Sequence, residues 1–280
     1  MERAVKAEIY HNARVKLFPD GRTQVLVLDR PCIRARGWEA ELPEGEPGAS
    51  AWAELSEDER AARNLSRAQR RARSAVYDYA LATPFRYFVT LTIDREKADR
   101  YDPSEIFGKL HNWLDNCVRR KGLVYVLIPE YHKDGAVHFH ALFNDALPVV
   151  DSGTMIPPEG GKPKRPRSAA QRAAWAAHGG RIVYNLPAWS WGFTTAIELH
   201  GDRRRAVGYV VKYITKADAK IGGRWYYSGG ELRKPDSFAA DFDFSKAAAL
   251  GTSFEVSELG CRAVTLWMEG EPDEQLAKLL

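Results

Sequence analysis

Two histidines separated by one residue, His138-Phe139-His140, are the first constellation in this chain whose types and spacing suit chemistry. On a β-strand, alternation sends both imidazoles to one face and Phe139 to the other. Paired imidazoles suit a divalent metal ion. The preceding residues PEYHKDG strengthen the case, because a three-residue Lys133-Asp134-Gly135 loop with its glycine left-handed is a favoured hairpin connection. That loop pairs His132 with Ala136 and sets Glu130 opposite His138. Glu130, His138 and His140 then share one face, with carboxylate and imidazole Cβ atoms about 5 Å apart. Two imidazoles and a carboxylate leave room for water and a phosphate oxygen on Mg²⁺ or Mn²⁺. His132 lies on the same face nearer the turn, as a fourth ligand or a nucleic-acid contact. The competing reading is a polar surface ladder; the metal reading is preferred.

A second constellation is Tyr209-Val210-Val211-Lys212-Tyr213. On a helix Tyr209, Lys212, Tyr213 and Lys216 lie on one side, and Val207, Val210, Val211 and Ile214 form an apolar side of their own. A tyrosine hydroxyl with a pKa of about 10 is a poor nucleophile at neutral pH. A neighbouring lysine and a metal-bound phosphate would favour phenolate and neutralise charge in the transition state. Taken alone, these tyrosines read as amphipathic rings with their rims in water.

The elements that must position these groups follow from the pattern along the chain. IYHNARVKLF and RTQVLVLD, joined by Pro19-Asp20-Gly21, predict an N-terminal β-hairpin. Residues 37–50 are acidic and rich in Pro and Gly, as a connection would be. A helix is expected from Glu57 to Leu81, with Ser56 and Glu59 as a capping box. Leu65, Ala68, Ala72, Val76 and Tyr79 mark its buried side, and Arg60, Arg63, Arg67, Arg70 and Arg71 form a separate stripe. YFVTLTI (87–93) predicts a strand, 103–120 a helix, LVYVLIPEY and AVHFHALF a strand pair, GFTTAIEL a strand, and Arg203 to Lys220 a helix. Residues 148–170 read as a mobile loop or inserted linker. The order describes an α+β domain with a mainly antiparallel central sheet flanked by helices. The expected divisions are a hairpin and linker over 1–56, a main domain over 57–235 and an acidic tail over 236–280.

The chain has 280 residues, 45% hydrophobic and 28% charged, in the range of globular proteins. It has no run of about 18 apolar residues and no apolar signal region at its start, so a soluble, cytoplasmic protein without a membrane partner is expected. Cys32, Cys117 and Cys261 form neither a disulfide framework nor a zinc pattern. Charge is unevenly spread: residues 60–230 carry 28 Lys and Arg against 15 Asp and Glu, whereas residues 37–59 carry 8 acidic groups and no basic one. A basic middle between acidic flanks suggests a polyanion-binding core, and makes a phosphate backbone the preferred partner of the arginine stripe over simple solvation.

YFVTLT, PEYHKDGAVHFHALF and GYVVKYITK, in that order, resemble the three motifs of HUH-type rolling-circle replication initiators, of the two-tyrosine kind found in single-stranded DNA phages and related replicons. The resemblance spans roughly residues 60–230, and its weakest part is the strand around Thr90 and Thr92. It implies a ferredoxin-like HUH endonuclease fold, a divalent metal at His138, His140 and Glu130, nucleophiles Tyr209 and Tyr213, and Lys212 between them. It further implies nicking and rejoining of single-stranded origin DNA in a bacterial host cell, through a 5′-phosphotyrosine and a free 3′-OH. A second tyrosine would then cut the regenerated junction. These residues contain no GxxxxGK[ST], so a host helicase would separate the strands and a host polymerase would extend the 3′-OH.

Arg63, Arg67, Arg70, Arg71, Lys216, Arg224 and Trp225 are the expected DNA contacts. Trp225 reads equally well as a base-stacking ring or as a core aromatic. Arg203, Arg204 and Arg205 open the tyrosine helix against its dipole, where bound phosphate or solvation would account for them. A transposase or relaxase would share the chemistry. A non-catalytic nucleic-acid-binding module is the rival of another class, and predicts binding indifferent to EDTA and to the tyrosines.

Overall fold

The computed structural model describes residues 10–34, 56–199, 220–256 and 260–280, together with Gly208 and Lys212. The first strands are β1 (Tyr10–His11), β2 (Ala13–Leu17), β3 (Arg22–Leu28) and β4 (Ile33–Arg34). Helix α1 (Glu57–Ala82) leads to β5 (Tyr87–Thr92), α2 (Pro103–Lys121), β6 (Tyr125–Tyr131) and β7 (Val137–Phe143). Then come β8 (Val150–Ile156), α3 (Ala169–Ala177), β9 (Arg181–Asn185), β10 (Thr194–Glu198) and β11 (Tyr227–Gly229). The last elements are β12 (Asp236–Ala240), α4 (Phe244–Leu250), β13 (Thr252–Val256), β14 (Cys261–Glu269) and α5 (Pro272–Ala277). This is the expected α+β class, with a large antiparallel sheet flanked by helices. None of the helices among the described residues is long and apolar enough to cross a membrane.

The chain divides into two units, residues 66–233 and residues 1–65 with 234–280. In the first unit the described strands form one antiparallel sheet of order β11-β6-β7-β5-β10-β9-β8. Helix α2 covers one face. Its Ile106, Phe107, Leu110, Leu114 and Cys117 are buried in the same core as Val89, Leu91, Leu127 and Phe139. Local chemistry sets both ends of this helix. Asp102 accepts a hydrogen bond from Ser104 N at 2.8 Å, and Pro103 occupies the first turn, where its missing N–H costs nothing. Gly122, at φ 70°, ends the helix with its N–H on Val118 O while Leu123 N bonds Cys117 O, a Schellman closure.

Residues 148–170, expected to be a loop or linker, instead supply β8, which pairs with β9 through a bulge between Asp151 and Thr154. Lys164 then bonds back to Met155, and Ser168 caps α3 by accepting from Gln171 N. Along α1, Ala72 and Val76 are buried as expected, but Leu65 is 44% exposed and lies outside the buried face. The side chain of Glu59 is outside the described residues.

The other unit holds the expected hairpin, β2 and β3, closed by a turn in which Gly21 takes φ 80°. It is not an isolated extension, and residues 236–280 are not a tail. The sheet order β12-β2-β3-β14-β13 places strands from the end of the chain on both sides of the hairpin. Ala13, Val15, Val25, Val27, Val264 and Leu266 form its core. A polar clasp ties the two chain regions: Asn12 N donates to Asp241 Oδ1 at 2.9 Å, Phe242 N to Asn12 Oδ1 at 2.9 Å, and His11 Nδ1 meets Asp241 Oδ2 at 2.7 Å.

Candidate functional site

The β6–β7 hairpin has the register its loop chemistry requires. His132 N donates to Ala136 O at 2.8 Å and Gly135 takes φ 86°. Glu130 therefore stands opposite His138, and Ile128 opposite His140. On the other side of β7, Thr92 pairs with His138 and Thr90 with His140. Phe139 faces away into the core with α2, fully buried. Glu130, His138, His140, Thr90 and Thr92 thus occupy one face of the sheet, opposite the face that α2 covers.

His140 is the best-held member. It is 8% exposed, its ring lies parallel to that of Phe88 at 5.9 Å, and both nitrogens have partners. Nε2 is 3.0 Å from Glu130 Oε2, and Nδ1 is 3.3 Å from Thr90 Oγ1. A carboxylate only accepts, so the neutral ring donates from Nε2, and the threonine hydroxyl donates to Nδ1. That hydroxyl can equally accept, so Thr90 supports either tautomer.

His138 is half-buried. Its ring stacks on that of His132 at 5.1 Å and stands 6.4 Å from that of His140, centroid to centroid. Burial pushes its pKa below the ordinary histidine value, the charge of His132 adds to this, Asp134 opposes it, and Arg100 contributes in the same direction as burial. At neutral pH the ring is therefore uncharged, with a lone pair free for coordination. His132 itself is exposed, with Nδ1 3.2 Å from Asp134 Oδ1, and Asp134 also accepts from Arg100 at 3.1 Å.

Among the described residues no three His, Cys, Asp or Glu side chains converge as a ready metal cage. The donor set nevertheless fits a hard divalent ion. A separation of 3.0 Å between His140 Nε2 and Glu130 Oε2 is that of two adjacent ligands about 2.1 Å from a common octahedral centre.

The remaining expected residues are distributed as follows. Tyr209, Tyr213, Lys216 and Arg203 to Arg205 lie outside the described residues; Lys212 is helical and exposed. On α1, Arg63, Arg70 and Arg71 are exposed and Arg67 is half-buried. Arg224 is exposed, with its guanidinium 5.9 Å from the ring centroid of Tyr227. Trp225 is only 7% exposed, which leaves no open ring face for a base, so its placement is that of the core aromatic. Tyr227 is buried as well and donates to the carbonyls of Ile221 and Gly222. Two neighbours of His140, Thr90 and Phe88, are not marked for that role by the sequence. Their only signal is the strand YFVTLT itself, whose alternation puts Phe88, Thr90 and Thr92 on one face.

Residues 86–218 match the model of a family described as Replication-associated protein ORF2. The matched stretch contains the hairpin with Glu130, His138 and His140, strand β5 with Thr90, and the positions of Tyr209, Lys212 and Tyr213. Comparison with curated proteins and with solved structures returns no match.

Proposed function

Taking as premise a central segment that matches a replication-associated family, we propose that this chain initiates replication by nicking and rejoining single-stranded DNA. The observation that supports this reading is the approach of His140 Nε2 to Glu130 Oε2 on a sheet face shared with His138. It falls within the same matched stretch as two tyrosines four residues apart.

A divalent cation, Mg²⁺ or Mn²⁺, held by Glu130, His138 and His140 would act as Lewis acid toward the scissile phosphate. Thr90 and Phe88 keep the His140 ring in the orientation such a ligand needs. Tyr209 or Tyr213 forms the new bond to phosphorus through its phenolic oxygen, whose proton is released, while the bond from phosphorus to the 3′ oxygen breaks. The 3′ oxygen takes up a proton and leaves as a free hydroxyl. The products are a 5′-phosphotyrosine and a 3′-OH. One phosphodiester has replaced another, so the reverse attack by a 3′-OH rejoins the strand at little cost in free energy. Lys212, between the tyrosines in sequence, favours the phenolate. On a helix four residues make about one turn, so the two hydroxyls can serve one phosphate site in alternation. Single-stranded origin DNA is the substrate, and a host helicase and polymerase are the partners this chemistry calls for.

The test is to incubate the full chain with Mn²⁺ and single-stranded DNA of its own replicon, resolve the products on a denaturing gel and map any DNA-linked peptide by mass spectrometry. An adduct on Tyr209 or Tyr213 supports the reading. An adduct elsewhere keeps the enzyme and discards these nucleophiles. No adduct, with tight binding that persists in EDTA, replaces the enzyme with a binding module.

A further inference from the structure

Phe193 is the most exposed large aromatic among the described residues, at 71%. Its backbone is nevertheless held firmly. Thr92 N donates to Phe193 O at 2.9 Å, which extends the β5–β10 ladder one pair beyond Thr194 and Leu91. Asp94 N bonds Trp191 O at 2.8 Å, and the Trp189 indole donates to Thr92 O at 3.1 Å. Gly192 packs so closely that a Cβ there would come within 2.1 Å of Thr92 O. Trp189 is buried beside this glycine, whereas the Phe193 ring is left in water.

Opposed residues of antiparallel strands share a face, so Phe193 lies on the side of Thr92. The row continues through His138 and Glu130 on the next two strands. At roughly 4.8 Å per strand, Phe193 stands about 10 Å from His138 along that row. A phosphate at the histidine site therefore brings a flanking base within reach of an exposed, fixed aromatic ring.

We propose that Phe193 is the stacking platform for a base next to the scissile phosphate, a role that rests on the single-strand nicking activity proposed above. Stacking on an aromatic ring is tolerant of base identity, because every base offers a π-face. Phe193 then contributes affinity and position, and leaves sequence choice to other contacts.

The experiment measures anisotropy of labelled oligothymidylate and of an abasic phosphodiester chain of equal length and charge, with the full-length protein in EDTA. The wild-type protein prefers the thymidylate. Phe193→Ala loses roughly tenfold in affinity for it, with abasic binding unchanged, and Phe193→Trp restores the preference. An unaltered base-to-abasic ratio in Phe193→Ala overturns the proposal, and equal thermal midpoints of the variants exclude a folding effect. Wild-type protein that nicks DNA while Phe193→Ala keeps the ratio sinks the stacking role alone. Wild-type protein that binds neither polymer removes the nicking activity and this role together.

Discussion

His140 and Glu130 face each other across the β6–β7 pair with Nε2 and Oε2 3.0 Å apart. An imidazole and a carboxylate so placed, with a second imidazole at His138 on the same face, divide catalysis from affinity. DNA affinity resides in the basic surface of residues 60–230 and is sequence-independent in large part.

Accordingly, His138→Ala and His140→Ala are expected to abolish nicking while single-strand binding in EDTA stays within about threefold of wild type. Gel cleavage assays and anisotropy on the same preparations check this. Normal nicking by either variant sinks the metal assignment.

The tyrosines are expected to be interchangeable in part. Tyr209→Phe and Tyr213→Phe should each retain some cleavage, and the double variant should give no covalent product. Denaturing gels of all three with labelled DNA decide it. A double variant that still forms adduct places the nucleophile elsewhere.

Thr90 acts through His140. Thr90→Val is expected to raise the Mn²⁺ concentration needed for half-maximal nicking about 10- to 100-fold, as loss of outer contacts to a metal-binding imidazole does. Thr90→Ser keeps the hydroxyl and should restore the wild-type requirement. A Mn²⁺ titration of the three proteins is the measurement; identical curves for Val and wild type remove the role.

Gly192 has no room for a side chain against Thr92 O. Gly192→Ala is expected to destabilise the protein by about 1–3 kcal/mol through overpacking. Urea unfolding checks it, and a variant as stable as wild type contradicts the close approach.

Asp241 predicts an acid effect. Its carboxyl is held below the ordinary value first by the Asn12 amide and then by His11, so folding favours the charged form. That contribution is complete well above the ordinary aspartate pKa of 3.8 and is lost as pH falls below it. The difference in thermal midpoint between wild type and Asp241→Asn should shrink as pH drops from 6 toward 3. A difference that is flat with pH contradicts the clasp.

The hairpin is legible in sequence because its register is a local property. Lys133-Asp134-Gly135 selects the turn, and the turn alone aligns Glu130 with His138. Thr90 is not legible as a partner of His140, because β5 and β7 are joined by pairing across fifty residues that no turn dictates. Alternation of buried and exposed positions along β14 is present, with Ala263, Val264, Leu266 and Met268 buried, but the surrounding acidic residues lie at exposed positions and dominate the pattern of 236–280. Likewise Ser168 and Gln171, a helix-start pair, sit inside a stretch whose Pro, Gly and Lys content argues for a loop. For Trp225, three consecutive residues of one class, Trp225-Tyr226-Tyr227, carry no periodicity from which to choose a face.

The five-stranded sheet has a consequence for the order of events at the ribosome. Strands β2 and β3 emerge early, but their neighbours β12 and β14 lie more than two hundred residues further along. At about 5–20 residues per second, the hairpin waits on the order of 10–40 seconds for the strands that flank it. Residues 66–233 are complete in the meantime, so the segment with the histidine site is able to fold first, and the sheet that joins the early and late parts of the chain forms last.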